Sequence, residues 1–427
     1  MNQVFALVDC NNFYASCEKL FRPDLRDTPV VVLSNNDGCV VARSREAKAL
    51  GIKMGVPVHL IKPDIRLHGV HVFSSNYTLY GDMSRRVMTT LEALAPRVDV
   101  YSIDEAFLEL TGIDRVEPFE AFGRRVKNAI YQNIGLPVCV GIAPTRTLAK
   151  LANYAAKKYL ATRGVVDLTD RARQRRLMAR LPVEEVWGVG ARLSVKLRAM
   201  GITTALQLAD ADLTTLRKRF SVVLERTARE LNGVCCLVWE DVPAPKKQIM
   251  CSRSFGQPIQ TLWDLEAAVA QHATRATEKL RQGQQYAGEL MVFIRTNPFR
   301  PGIPQYSRSA SIRLVTPTQD SRVIVQKALT QLRSIYRSGY DYAKAGVMLG
   351  ELVGGSGLQE DLFASAGAPT VDSGKSARLM AVIDEINVRS RTSIVMARAT
   401  GPAAHTMRRQ HLSPAYTTDW NSLPRVN

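Results

Sequence analysis

No apolar run in the sequence approaches the ~18–20 residues that crossing a bilayer requires, so a membrane-spanning enzyme or transporter is not expected. A basic leader with a small-residue cleavage site is lacking too. The N-terminal MNQVFALVDC passes straight into an apolar strand that carries an aspartate, and a soluble, unexported, cytoplasmic protein is expected. Cysteine is sparse. The seven present (Cys10, Cys17, Cys39, Cys139, Cys235, Cys236, Cys251) form no C-x-x-C and read as reduced thiols, not as a disulfide framework or zinc site. The six histidines are scattered; His68 and His71 are near each other but have no Cys or carboxylate partners at ligand spacing. Negative charge is also scarce, with 39 Asp and Glu against 57 Lys and Arg, a net +18.

What is present is a basic excess with a lopsided distribution. Residues 1–168 carry about +4, residues 169–239 about +6 and residues 246–352 about +8. That pattern points to a body that performs chemistry and appendages that grip a polyanion. Nucleic acid is favoured over an anionic membrane surface because no strongly amphipathic basic helix stands out. Apolar residues are 46% of 427, enough for sizeable cores, and the length suggests about three domains.

Along the chain, residues 3–8 read as a buried strand followed by a turn into a helix, and residues 29–34 as a second strand. Residues 35–52 open with turn chemistry and pass into a helical stretch ending at Gly51. A helical pattern over 76–94 precedes two strands, 98–103 and 106–110, that meet at Asp104-Glu105. A helix at about 117–133, a strand at 136–143 and a helix at 145–159 complete an α/β sheet expected to carry its helices on one face.

Residues 170–232 look all-helical and basic. Within them Trp187-Gly188-Val189-Gly190 before an amphipathic helix resembles a helix-hairpin-helix, whose Gly turn offers backbone N–H groups to a DNA phosphate. An ordinary turn between bundle helices fits those residues equally well. Residues 238–248 read as a linker. Residues 249–352 read as a small βα domain with a basic sheet face. Gly354 opens a flexible stretch to about 375, and the last fifty residues hold one expected helix and an irregular basic end.

Asp9 stands at the end of an apolar strand, where an ionised carboxylate is costly unless it is paired or bound to a cation. Asp104 and Glu105 are adjacent at a hairpin tip, and a divalent metal would turn their repulsion into attraction. If the Asp9 strand lies beside that hairpin, three carboxylates meet at one sheet edge, an oxygen-only set suited to two Mg²⁺ ions. A solvated turn Asp-Glu is the commoner meaning of such a pair. Arg45, Lys48 and Lys157 are candidates to neutralise a triphosphate, and Phe13 and Tyr14 to floor a nucleotide sugar. A solvated charge or a core aromatic is the plainer reading of each.

The segments ALVDCNNFYASCEKLFRPDL, VVVLSNNDGCVVARSREAKALGIKMG, FSSNYTLYGDMS, PRVDVYSIDEAFLELTG and VGIAPTRTLAKLANYAAKK closely resemble the Y-family translesion DNA polymerases, and within them the UmuC-like branch. The resemblance runs through essentially the whole chain, including HLSPAYTTDW near its end. It implies a right-hand α/β multidomain fold. An α/β palm would occupy residues 1–168, with small fingers inserted at about 30–75. A helical thumb (169–239), an α/β little finger (249–353) and a flexible C-terminal tail (376–427) would follow. It assigns metal binding to Asp9, Asp104, Glu105 and the Cys10 carbonyl, and makes Tyr14 the steric gate against a ribose 2′-OH. Arg45, Lys48 and Lys157 match triphosphate-binding positions, although some relatives carry Tyr and Arg in place of Arg45 and Lys48. Cys39 and Val41 match small residues over the nascent base pair. Gln359, Leu362 and Phe363 resemble a sliding-clamp peptide, with Glu360 where related motifs often have Leu. The implied activity is error-prone lesion bypass in the SOS response, without proofreading. The implied partners are primer-template DNA, dNTPs, a UmuD′-like dimer, RecA and the clamp. A nucleotide cyclase would share the metal-binding sheet without the basic appendages, and a catalytically idle DNA-binding scaffold would not need the acids.

Overall fold

The computed structural model describes residues 3–237, 239, 245–355, 373–389, 394–400 and 407–423. The clamp-like residues Gln359, Leu362 and Phe363 lie outside them. The chain divides into two units, Met1–Asp241 with Gln410–Asn427, and Val242–Arg409.

The first unit opens with β1 (Phe5–Cys10), α1 (Phe13–Leu20), β2 (Val30–Leu33), β3 (Val40–Arg43), α2 (Arg45–Ala49), α3 (Lys62–Leu67) and β4 (His71–Ser74). It continues through α4 (Tyr77–Glu92), β5 (Val98–Val100), β6 (Glu105–Glu109), α5 (Phe119–Ile134), β7 (Val138–Ala143), α6 (Arg146–Lys158) and β8 (Val165–Asp167). Five of these strands form a sheet in the order β5-β6-β1-β7-β8, antiparallel except for β7 with β8.

β1 is buried at every position because both sheet faces are covered. Ala6 and Val8 point into a core with α4 and α5, whereas Phe5, Leu7 and Phe107 point into a second core with α6. The expectation of helices on one face is therefore corrected. An all-apolar FALV carries no alternation, so its pattern does not say that a second layer covers the other side. The contact with α6 is close enough to require glycine. A Cβ at Gly141 would fall 2.1 Å from the Asn153 nitrogen and 2.4 Å from the Ala149 oxygen.

A three-stranded sheet, β3-β2-β4, makes a small lobe with its own core of Val31, Leu33, Val40, Ile52 and Ile61. The stretch at 35–52, expected to pass from a turn into a helix ending at Gly51, here passes through a strand before a short helix. Val40-Val41 favours extended backbone, and the Ser44 side chain accepts the Ala47 N–H at 3.3 Å, starting α2 only at Arg45.

The first unit then turns helical: α7 (Arg171–Arg180), α8 (Ala191–Arg198), α9 (Ala205–Ala209), α10 (Leu213–Arg219) and α11 (Val222–Leu231). Their leucines join the core beneath α6, which makes one continuous cluster from β1 to α11. Buried Glu230 locks this junction. Its carboxylate accepts the Thr147 N–H (3.0 Å), the Thr147 hydroxyl (2.8 Å) and the Cys236 N–H (2.9 Å).

The second unit contains β9 (Ile249–Ile259), α12 (Leu262–Gln282), β10 (Gln285–Thr296), β11 (Ser307–Thr318), α13 (Ser321–Ile335), β12 (Tyr342–Gly354) and α14 (Ser373–Arg389). Its antiparallel sheet, β11-β10-β12-β9, packs Leu290, Val292, Val347 and Leu349 against α12 and α13. On the other face Met250, Met348 and Met291 lie side by side across three strands, with Arg295 opposite Lys344 further along. That face is an apolar band edged by cations, less basic than expected. α14 is tied to the unit by a bidentate pair from Arg281 to Asp384 (2.6 and 2.7 Å). No helix among the described residues is long and apolar enough to cross a membrane.

Candidate active site

Strand parity places the acids. In the β1–β6 register Asp9 faces Glu105 directly, two residues along from the pair Leu7 and Phe107. Asp9 and Glu105 therefore share the sheet face that α6 covers. The Cys10 N–H donates to the Asp104 carbonyl at 2.9 Å, which fixes the hairpin tip against the end of β1.

From α6, Lys157 Nζ reaches Asp9 Oδ2 at 2.5 Å and Lys150 Nζ reaches Glu105 Oε2 at 2.6 Å. These lysines are seven residues apart, two helical turns, so one helix face presents both. Burial pushes the Asp9 carboxyl well above the usual carboxylate range, opposed by Lys157 and aided by the hydrogen bond shared with Glu105. Burial also acts to raise Glu105, but hydrogen bonds from Asp9 and Lys150 and the charges of both lysines outweigh it and lower that carboxyl. Asp104 is turned aside, accepting from Ser102 Oγ at 2.6 Å.

Among the described residues, no group of three or more His, Cys, Asp or Glu side chains already surrounds a metal position. The donor chemistry nonetheless fits a hard divalent cation. The acids offer only oxygen, and a deeply buried carboxylate such as Asp9 requires a cation, which Lys157 supplies here.

The other expected residues divide. Tyr14 is half-buried and stacks on Tyr80, rings 4.4 Å apart and 15° from parallel. Burial pushes its phenol up, followed by Tyr77 and the charge of Asp104. Phe13 is inside the core, behind Tyr14 at 5.7 Å, and has no surface for a sugar. Lys48 reaches Asn12 Oδ1 at 2.5 Å; burial lowers its pKa, with the charges of Arg43 and Lys157 acting the same way. Arg45 is 84% exposed and leans on Glu46 at 3.6 Å. Cys39 closes the turn between β2 and β3, its carbonyl accepting from the Ser34 N–H at 2.7 Å, and Val41 packs at the edge of the main core. Gly188 (φ 88°) and Gly190, the residue before α8, have open space where a side chain would be.

Sequence reasoning missed Lys150 and Ser102. Lys150 also sits 4.3 Å over the Tyr101 ring and 5.0 Å over Trp187, a cation held by aromatic faces as well as by Glu105. Its spacing from Lys157 was the available signal.

Residues 8–154 match the impB/mucB/samB family and residues 246–362 the C-terminal domain of the same family. The chain belongs to this family, among the UmuC-like Y-family polymerases. Residues 377–426 match a domain of unknown function. Protein UmuC of Salmonella typhimurium is 50% identical over 425 residues, 99% of this chain and 100% of the relative. Protein MucB of Escherichia coli is 50% identical over 421 residues, 99% of each chain. DNA polymerase IV of Caulobacter vibrioides is 30% identical over 366 residues, 84% of this chain and 86% of the relative. The fold is similar to that of a solved Y-family DNA polymerase chimera, with a TM-score of 0.63, 20% identity and coverage of 82% of this chain and 99% of that one. Members of the impB/mucB/samB family with this architecture are DNA polymerases that depend on a divalent metal.

Proposed function

We propose that this chain extends a primer past damaged template bases, adding dNTPs by in-line attack of the primer 3′-OH on the α-phosphate with release of pyrophosphate. The observation that carries this reading is the register of Asp9 against Glu105, with Asp104 next in sequence and lysines facing both strand acids.

Two Mg²⁺ ions held by Asp9, Asp104, Glu105 and the Cys10 carbonyl would supply the charge that activates the primer hydroxyl and stabilises the transition state. The chain's own residues prepare that site. Lys157 and Lys150 hold the two strand acids in place, and Lys48 and Lys157 stand where a triphosphate needs cations, with Arg45 free to swing in from solvent. Tyr14, backed by Tyr80 and Phe13, is the gate that collides with a ribose 2′-OH, and Cys39 and Val41 lie over the nascent base pair.

The domain assignment is a palm and thumb in residues 1–168 and 169–239, fingers at about 30–75, and a little finger at 249–353. The open turn at Gly188 and Gly190 offers backbone N–H groups to a DNA phosphate. Gln359, Leu362 and Phe363 dock the sliding clamp, and a UmuD′-like dimer and RecA are the accessory partners in a cytoplasmic SOS response. Primer extension opposite an abasic template, with Mg²⁺, dNTPs and those partners, tests the reading. Asp104→Ala abolishes extension and leaves primer-template binding largely intact. Near-normal extension by that variant would overturn the site.

A further inference from the structure

The C-terminal residues expected as an irregular end are docked on the first unit. The Gln410 N–H donates to Asp37 Oδ2 at 2.8 Å. His411 pairs with Ser74 twice, its N–H to Ser74 Oγ (3.0 Å) and its carbonyl from the Ser74 N–H (2.8 Å). Asn76, which caps α4, donates to Ser413 Oγ at 3.0 Å. The Tyr416 ring, 8% exposed, stacks on Phe21 at 4.7 Å and 11°.

At the centre of this contact lies Glu18, fully buried on α1. Its Oε1 accepts from Ser413 Oγ (3.1 Å) and from the Tyr80 hydroxyl (2.6 Å), while Oε2 has no hydrogen-bond partner. Burial raises the Glu18 carboxyl to about 7. Tyr80 is the residue on whose face Tyr14 lies. A chain of direct contacts thus runs from the tail through Ser413, Glu18 and Tyr80 to Tyr14.

We propose that residues 410–416 are an intramolecular strap that positions Tyr14, acting through Ser413, Glu18 and Tyr80, and so sharpens the choice of deoxyribose over ribose. This rests on reading Tyr14 as the sugar gate. The strap covers Glu18 and supplies one of its two hydroxyl donors. Without it, water reaches the carboxyl, and the Tyr80 hydroxyl loses the fixed acceptor that orients its ring. Ser413 and Tyr416 are positioning residues; neither contacts Tyr14, and a loose strap changes selectivity more than it changes the reaction.

The test is a ratio, kcat/KM for a ribonucleotide over that for its deoxynucleotide, measured on the full chain with its accessory partners. An inactive fraction lowers both terms equally, so partial misfolding does not move the ratio. Tyr14→Ala raises it most. Ser413→Ala and Tyr416→Ala raise it by roughly 3–10-fold, the scale of one lost positioning hydrogen bond. Tyr416→Phe, which keeps the stack on Phe21, returns it to the wild-type value. If Tyr14→Ala raises the ratio while Ser413→Ala and Tyr416→Ala leave it unchanged, the strap proposal is overturned and the gate stands. If Tyr14→Ala itself leaves the ratio unchanged, the gate reading falls and the strap proposal with it.

Discussion

Replacing Gly141 by alanine tests the junction between β7 and α6 with a single methyl group. That methyl would lie 2.1 Å from the Asn153 nitrogen, 2.4 Å from the Ala149 oxygen and 2.7 Å from the Ala152 carbonyl carbon. All are backbone atoms, so no side chain can swing aside. Restoring an ordinary separation of about 3.5 Å forces α6 off the sheet by more than ~1 Å. The Asn153 amide donates to the Cys139 carbonyl at 2.8 Å and the Leu7 carbonyl at 3.2 Å, and both bonds break at that displacement. Overpacking costs about 1–3 kcal/mol and the stranded buried amide about 1–3 kcal/mol more. The sum, roughly 2–6 kcal/mol, is a large share of a typical domain's ~5–15 kcal/mol. Urea unfolding followed by tryptophan fluorescence reads it, because Trp239 packs on Phe5 and Trp187 on Phe107 within this unit. Gly81→Ala is the matched control. Gly81 lies within α4 with open space around it, and alanine there should stabilise by about 0.5–1 kcal/mol. A Gly141→Ala midpoint equal to wild type would refute the close packing. Since α6 also carries Lys150 and Lys157, primer extension should fall with stability.

Two further outcomes are expected. Asp9 and Glu18 both have carboxyls raised by burial, Glu18 to about 7, so these two groups bind more protons in the folded than in the unfolded chain between about pH 4 and pH 7. Their contribution to the stability of the metal-free protein should therefore fall as pH rises through that window and level off above it; a thermal-denaturation profile left unchanged in shape by Glu18→Gln would contradict the Glu18 shift. Primer-template affinity should fall steeply with salt, roughly a thousand-fold between about 50 and 200 mM if about six phosphates are contacted. A flat response in fluorescence anisotropy would show that the net charge of +18 is not spent on DNA.

The central elements were legible because their periodicity is local. β1, the β5–β6 hairpin and helices α4, α5 and α6 stand within a few residues of where the patterns put them. The meeting of Asp9 with Glu105 was legible only as a condition, since register depends on pairing and not on either strand alone. The second covered face of the sheet left no trace in FALV. Lys150 was overlooked because a lone lysine on a helix usually faces solvent. The docking of Ser413 on Glu18 joins residues 395 apart, a distance at which neither composition nor spacing carries information.

β1 is a party wall between two cores, and odd and even positions have different neighbours. Phe5, Leu7 and Asp9 share their side with α6 and the basic helices; Ala6, Val8 and Cys10 share theirs with α4, α5 and the residues around Tyr14. Substitutions one residue apart should thus yield unlike defects, at the Asp9–Lys157 pair and the α6 junction for one parity and in the packing around Tyr14 for the other. Deleting a single residue from this strand would exchange the two addresses and carry Asp9 away from Lys157.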